Sequence, residues 1–198
     1  MTVPSVESRR TSTRLSEAAA WLLNGLLLER PRRGWYEEIA AMSAEVEDAG
    51  LRAAAEAAAG ATEGMHLSLF GEGGFVSPRE VTYRPQLDPG RLLSDLRGFY
   101  EAFHYVPRAE DPPDHIAVEA GFLGYLALKE VLAREAADEE AAAICAGAAR
   151  RFWSEHLAQL AESCHARLLD AGVEHLRLAA GALVTRGRHL DPGPEEAP

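Results

Sequence analysis

The sequence predicts an all-α, single-domain helical bundle of about eight to ten helices. Three observations predict it. Ala fills 36 of 198 positions and Leu is abundant while Val and Ile are scarce, which favours helix over strand. Apolar residues recur at three- and four-residue spacing along most of the chain. No segment shows the two-residue alternation of a half-buried strand. A length of 198 residues suits one domain. Hydrophobic residues at 47% and charged residues at 26% exclude a mainly disordered chain or a collagen-like one.

The elements follow in order. Residues 1–11 read as a frayed tail, 12–188 as the helical domain and 189–198, rich in Pro and Glu, as a second disordered tail. The spacing of Leu15, Ala18, Ala19, Leu22, Leu23 and Leu26 predicts a helix to Glu29, stopped by Pro31. A second helix starts near Trp35 and fades at Asp48-Ala49-Gly50. A third spans Leu51 to Ala59, with Gly60 expected as its C-terminal cap. A fourth begins after the N-cap Thr62 and ends at Phe70-Gly71. The stretch from Gly71 to Pro89 is irregular, but Phe75, Val76, Val81, Tyr83 and Leu87 predict that it packs.

Asp88-Pro89 opens the next helix, with Asp as cap and Pro in the first turn. A second irregular stretch, His104 to Pro113, separates this helix from the next. Asp114 is expected to cap the helix that runs to about Glu135. Apolar residues lie nearly all round that helix, which places it in the centre of the core. Asp138 starts another helix through Ala149, and Phe152 to Leu169 continues it or begins anew. Gly172 is a break, and Val173 to Arg186 is the last helix.

Charge narrows the function. The net charge of −11 repels phosphate backbones, so a general nucleic-acid binder is excluded. Ser8-Arg9-Arg10 looks like the start of a twin-arginine export signal, but Arg14, Glu17 and Asn24 interrupt the apolar run that such a signal needs. Retention in the cytoplasm is the expectation. Cys145 and Cys164 form no C-x-x-C and read as buried thiols of a reduced protein.

Catalytic signatures are missing: there is no H-E-x-x-H, no G-x-S-x-G and no Walker loop, and Gly71-Glu72-Gly73-Gly74 carries no Lys. No metal, cofactor or catalytic residue is assigned. One constellation stands out: Pro112-Pro113-Asp114-His115 with Glu119 one turn on. Capping explains Asp114 fully. It leaves His115 unexplained, because the positive end of the helix dipole disfavours a cationic ring.

Several segments occur in a familiar order. Leu67-Ser68-Leu69-Phe70 precedes Val76-Ser77-Pro78-Arg79-Glu80-Val81-Thr82-Tyr83. Then come Leu92 through Tyr100-Glu101-Ala102-Phe103, Pro113-Asp114-His115-Ile116-Ala117-Val118-Glu119 and Phe122-Leu123. Over about residues 15–170 this resembles the TorD/DmsD/NarJ-like family of molybdoenzyme (dimethyl-sulfoxide-reductase-type) maturation chaperones. P-D-H-x-x-x-E is its most specific motif. The commoner family loop reads S-P-Y-E-S-x-Y, so Arg79 stands where the family has Tyr.

The resemblance implies two halves of the bundle joined at a hinge near residues 104–114, and a system-specific chaperone that is not an enzyme. It would bind the twin-arginine leader or apo-form of a molybdenum-cofactor oxidoreductase catalytic subunit, assist cofactor insertion and delay export. It implies a peptide groove lined by Leu69, Phe70, Tyr83, Tyr100 and Phe122. Ser77, Pro78 and Pro113 would flank the groove, His115 would serve recognition, and Glu80, Asp114 and Glu119 would meet client arginines. Core packing is the competing account of each aromatic. Two other functions compete: a nucleotide-binding or hydrolysing enzyme using Asp114, His115 and Glu119, and a module that homodimerises through its Ala-rich faces.

Overall fold

A computed structural model describes residues 6–108 and 111–190, with side chains from residue 11 onward. The helices are α1 (Val6–Leu28), α2 (Trp35–Ser43), α3 (Ala49–Ala57), α4 (Glu63–Phe70) and α5 (Glu80–Tyr83). After them come α6 (Pro89–Ala102), α7 (Ile116–Glu135), α8 (Glu139–Phe152), α9 (Ala158–Leu168) and α10 (Glu174–Arg188). A π-turn, Trp153–Leu157, joins α8 to α9 as one continuous rod. Among the described residues the only β-type pairing is an isolated antiparallel bridge between Arg79 and His115. The all-α architecture is therefore as the composition requires.

Local chemistry sets most helix starts. Asp48, Thr62, Asp88 and Asp138 each accept a backbone N–H from three residues on, at 3.0, 3.2, 2.8 and 2.9 Å. Some boundaries differ from expectation. The first helix begins at Val6 rather than Leu15, because Glu7, Arg9 and Arg10 form helix well and no breaker intervenes. Of the expected first tail, only residues 1–5 lie outside the described residues; in the second, His189 and Leu190 still close α10 through bonds to Arg186 and Gly187. Gly60 ends a short 3₁₀ turn, Ala58–Gly60, instead of capping α3 directly.

Helix α7 is the central element, packed along α1 and α8, while α10 lies on α3 and α9. The α1–α7 crossing is tight: a Cβ on Gly25 would come within 2.9 Å of the Gly121 backbone nitrogen. Elements from before and after residues 104–114 thus share one core. Its largest fully buried side chains include Leu23, Ile39, Leu96, Phe122 and Phe152. The connection between the halves is pinned to α7: Tyr105 donates to the Val118 carbonyl at 3.3 Å, and Tyr125 to that of Phe103 at 2.9 Å. Asn24, on the buried face of α1, donates to the Ala179 carbonyl of α10 at 2.8 Å. Glu17 pairs with Arg186. Two of the polar residues that interrupt the apolar run of α1, Glu17 and Asn24, are therefore bundle contacts. Among the described residues no helix is long and apolar enough to cross a membrane.

Candidate functional site

The site is assembled where the loop between α4 and α6 lies against the start of α7. Helix α4 ends at Phe70, and the chain doubles back through the Gly71–Gly74 turn, closed by Gly74 N–H to the Gly71 carbonyl at 2.8 Å. Val76 N–H then returns to the Leu69 carbonyl at 3.0 Å. Two backbone bonds tie the loop to the motif segment: Glu80 N–H to the Asp114 carbonyl and Ile116 N–H to the Pro78 carbonyl, each 2.9 Å. They satisfy groups that neither a helix nor solvent reaches.

Side chains complete the attachment. Asp114 is fully buried; its Oδ1 takes Arg79 Nε at 2.6 Å and its Oδ2 takes the Val81 N–H at 3.3 Å. The cap of α7 is His115, whose Nδ1 accepts the Ala117 N–H at 3.2 Å. This corrects the expectation that Asp114 caps α7 and that His115 is free of capping. The aspartate is turned back onto the loop, where a cation and the open N-terminus of α5 claim it. Burial, and then the nearby Arg79 charge, push the His115 ring down to about 4. The ring is therefore neutral at pH 7, the one state in which it can accept and cap.

Glu80 and Glu119 lie deeper, both fully buried. Arg84 Nε is 3.0 Å from Glu80 Oε1, and His156 Nδ1 is 3.2 Å from Oε2. Both Glu119 oxygens are buried without a hydrogen-bond partner among the described residues. Burial, then the charges of Glu80 and Asp114, raise the Glu119 pKa well above the carboxylate range. The three carboxylates offered by the sequence to client arginines are thus out of solvent. Two of them already hold internal arginines.

The aromatics divide in the same way. Leu69, Phe70, Tyr100 and Phe122 all belong to the core, so the expected groove does not form around them, although Phe70 keeps an edge on a cavity. Tyr100 buttresses the motif from inside, donating to the Pro113 carbonyl at 2.8 Å. Tyr83, half-buried, donates to the Ser77 carbonyl at 2.8 Å and stiffens the loop. Phe70, Ser77, Pro78 and His115 do come together, bordering a surface cavity of about 440 Å³ with His66, Leu67 and Arg79. Sequence reasoning missed His66. It is buried edge-on against Phe70, with ring centroids 5.1 Å apart, and its Nδ1 has no partner among the described residues. Arg84 and His156 were missed too; they become visible only once distant segments meet.

A larger cavity, about 820 Å³, lies between α6 and α8, and none of the residues expected from the sequence lines it. Among the described residues no three His, Cys, Asp or Glu side chains are grouped to hold a metal. Both cysteines are buried and free.

These features define an all-helical scaffold that clamps a loop beside a shallow cavity at the start of its central helix. The family model described as nitrate reductase delta subunit matches residues 34–166, and the chain belongs to that family. The family is of the NarJ/TorD type and consists of chaperones for molybdoenzyme maturation, whose clients are molybdoenzyme catalytic subunits. The matched region includes the whole clamped loop and the P-D-H segment. A search of curated proteins returned no match.

Proposed function

We propose that the protein is a cytoplasmic, system-specific chaperone that catalyses no reaction. It binds the twin-arginine leader or the apo-form of a molybdenum-cofactor oxidoreductase catalytic subunit, assists cofactor insertion and delays export. The cavity beside Pro78 and His115 is the client site. One observation carries this reading: the family-motif residues Phe70, Ser77 and Pro78 of one segment and His115 of another border a single solvent-open cavity. Its wall is mixed: Leu67, Phe70, Val76 and Pro78 offer apolar surface to a peptide, beside the polar Arg79 and Ser77.

Leu67 gives the cleanest test, because it lines the cavity and is 44% exposed, outside the core. In cells respiring anaerobically, a pull-down read by mass spectrometry is expected to bring down a molybdoenzyme catalytic subunit with the wild type. Leu67→Glu is expected to lose it at an unchanged melting temperature. Equal recovery by both proteins overturns the placement of the site.

A further inference from the structure

We propose that Arg79 sets the client specificity of this site: it fills the Asp114 carboxylate from within, so that a client arginine earns nothing there, and it faces the client with a guanidinium in that carboxylate's place. The proposal rests on the reading that the cavity holds a client segment. It concerns which side chains are read, not whether binding occurs.

The geometry is one-sided. Asp114 is fully buried and does not border the cavity, whereas Arg79 does, with its side chain 34% exposed. Arg79 Nε sits 2.6 Å from Asp114 Oδ1, and the other carboxylate oxygen is taken by Val81 N–H. A client guanidinium would have to break a charge-assisted bond of the same kind as the one it forms. It would also leave Arg79 unpaired beside the incoming positive charge. Exchange therefore brings no net gain in affinity.

The other ionised groups on the cavity do not restore the lost site. Arg30 adds a second positive charge. Glu72 is exposed and Asp111 partly so, and pairs in contact with water contribute little. The two ring systems, His66 and His115, are both pushed down to about 4 by burial and add no charge at pH 7. The floor of the cavity thus matches an apolar segment that presents carbonyl or carboxylate oxygens. A twin-arginine leader would be held by its apolar stretch, with the arginine pair unread at Asp114.

Two synthetic peptides test this. One carries Arg-Arg ahead of an apolar stretch, and the other has Gln-Gln at the same positions. Affinities are measured by titration calorimetry for the wild type and for Arg79→Gln, with folding checked by circular dichroism. The wild type is expected to bind both peptides within about threefold. Arg79→Gln frees Asp114 and is expected to bind the Arg-Arg peptide at least about tenfold tighter, with the Gln-Gln peptide unchanged. Arg79→Met, of similar length and without a hydrogen-bond donor, is the second variant should Gln not fold, with the same expectation. A wild-type preference of tenfold or more for Arg-Arg overturns the proposal. So does a variant that changes both peptides alike, or neither. If the wild type binds neither peptide, leader binding itself fails. The specificity proposal then stands or falls on whether the Arg79 variant gains the Arg-Arg peptide.

Discussion

His156 Nδ1 and Glu80 Oε2 lie 3.2 Å apart, joining the loop between α4 and α6 to the π-turn between α8 and α9. The π-turn belongs to this contact. One extra residue per turn shifts the register of the rod, and wide turns of this kind recur at functional positions. His156 also stacks edge-on with Phe99 of α6, at 5.6 Å between ring centroids. Three elements therefore meet on one imidazole. Arg84 adds a third strap, donating to the His156 backbone carbonyl at 3.2 Å.

Removing Glu80 strands these partners. Glu80→Ala leaves Arg84, whose side chain is 16% exposed, without its carboxylate. Breaking one half of a buried pair typically costs about 3–5 kcal/mol. The expected result by calorimetry is a loss of that order, with faster hydrogen exchange in residues 76–83. A loss below about 1 kcal/mol would show that the strap contributes only surface-like pairing.

Glu119 makes the opposite prediction. Its pKa is raised in the folded state, so the fold keeps a proton that the unfolded chain releases above its ordinary value of 4.5. Above pH 4.5, stability therefore falls as pH rises, until Glu119 would itself ionise. Glu119→Gln keeps the shape without the proton requirement. The variant is expected to melt higher than wild type at pH 7–8, by roughly 2–4 °C for each kcal/mol relieved, and the gap should close toward pH 4. A variant that melts lower at both pH values would mean that the carboxyl group itself is needed.

How much of this was readable from the residues depended on distance along the chain. Thr62, Asp88-Pro89 and Asp138 announce their helices because a cap bonds three residues on, and the structure has all three in place. The all-round apolar surface of α7 gave away its central position for the same local reason. Asp114 was misread because its partners, Arg79 and Val81, are 35 and 33 residues away. An Asp after two prolines looks like a cap whatever distant cation claims it. His115 was missed as a cap because an imidazole caps only when burial keeps it neutral, and burial is a tertiary property. Core aromatics such as Tyr100 and Phe122 resemble groove residues in sequence, since both roles ask for apolar surface.

The cap assignment is itself testable. His115→Ala removes the acceptor for Ala117 N–H and is expected to cost about 0.5–2 kcal/mol. His115→Asn, which offers an amide oxygen at the same place, should recover part of that loss. The matching readout is the hydrogen-exchange rate of the Ala117 amide, which should rise in the Ala variant and fall back in the Asn variant. Equal exchange in all three proteins would return the capping role to Asp114.

The acid limb of stability follows from three buried histidines. Burial pushes His66, His115 and His175 each down to about 4 from an ordinary 6.5. The unfolded chain binds protons on these residues between pH 6.5 and 4, and the folded chain refuses them, so stability falls as pH falls through that window. A ring shifted this far removes up to about 3 kcal/mol of stability across that window. His175 allows a clean test because it does not line the cavity beside Pro78 and His115; it sits edge-on to Trp35 with ring centroids 5.9 Å apart, and its Nε2 has no partner among the described residues. His175→Phe keeps an aromatic against Trp35 and removes one titrating group. Melting temperatures measured from pH 7 to pH 4.5 should therefore fall less steeply for His175→Phe than for wild type. Recovery of the client subunit at pH 7 should be unchanged, because the ring carries no charge at that pH and does not line the cavity. An unaltered slope would mean that His175 protonates in place, with water reaching its buried nitrogen.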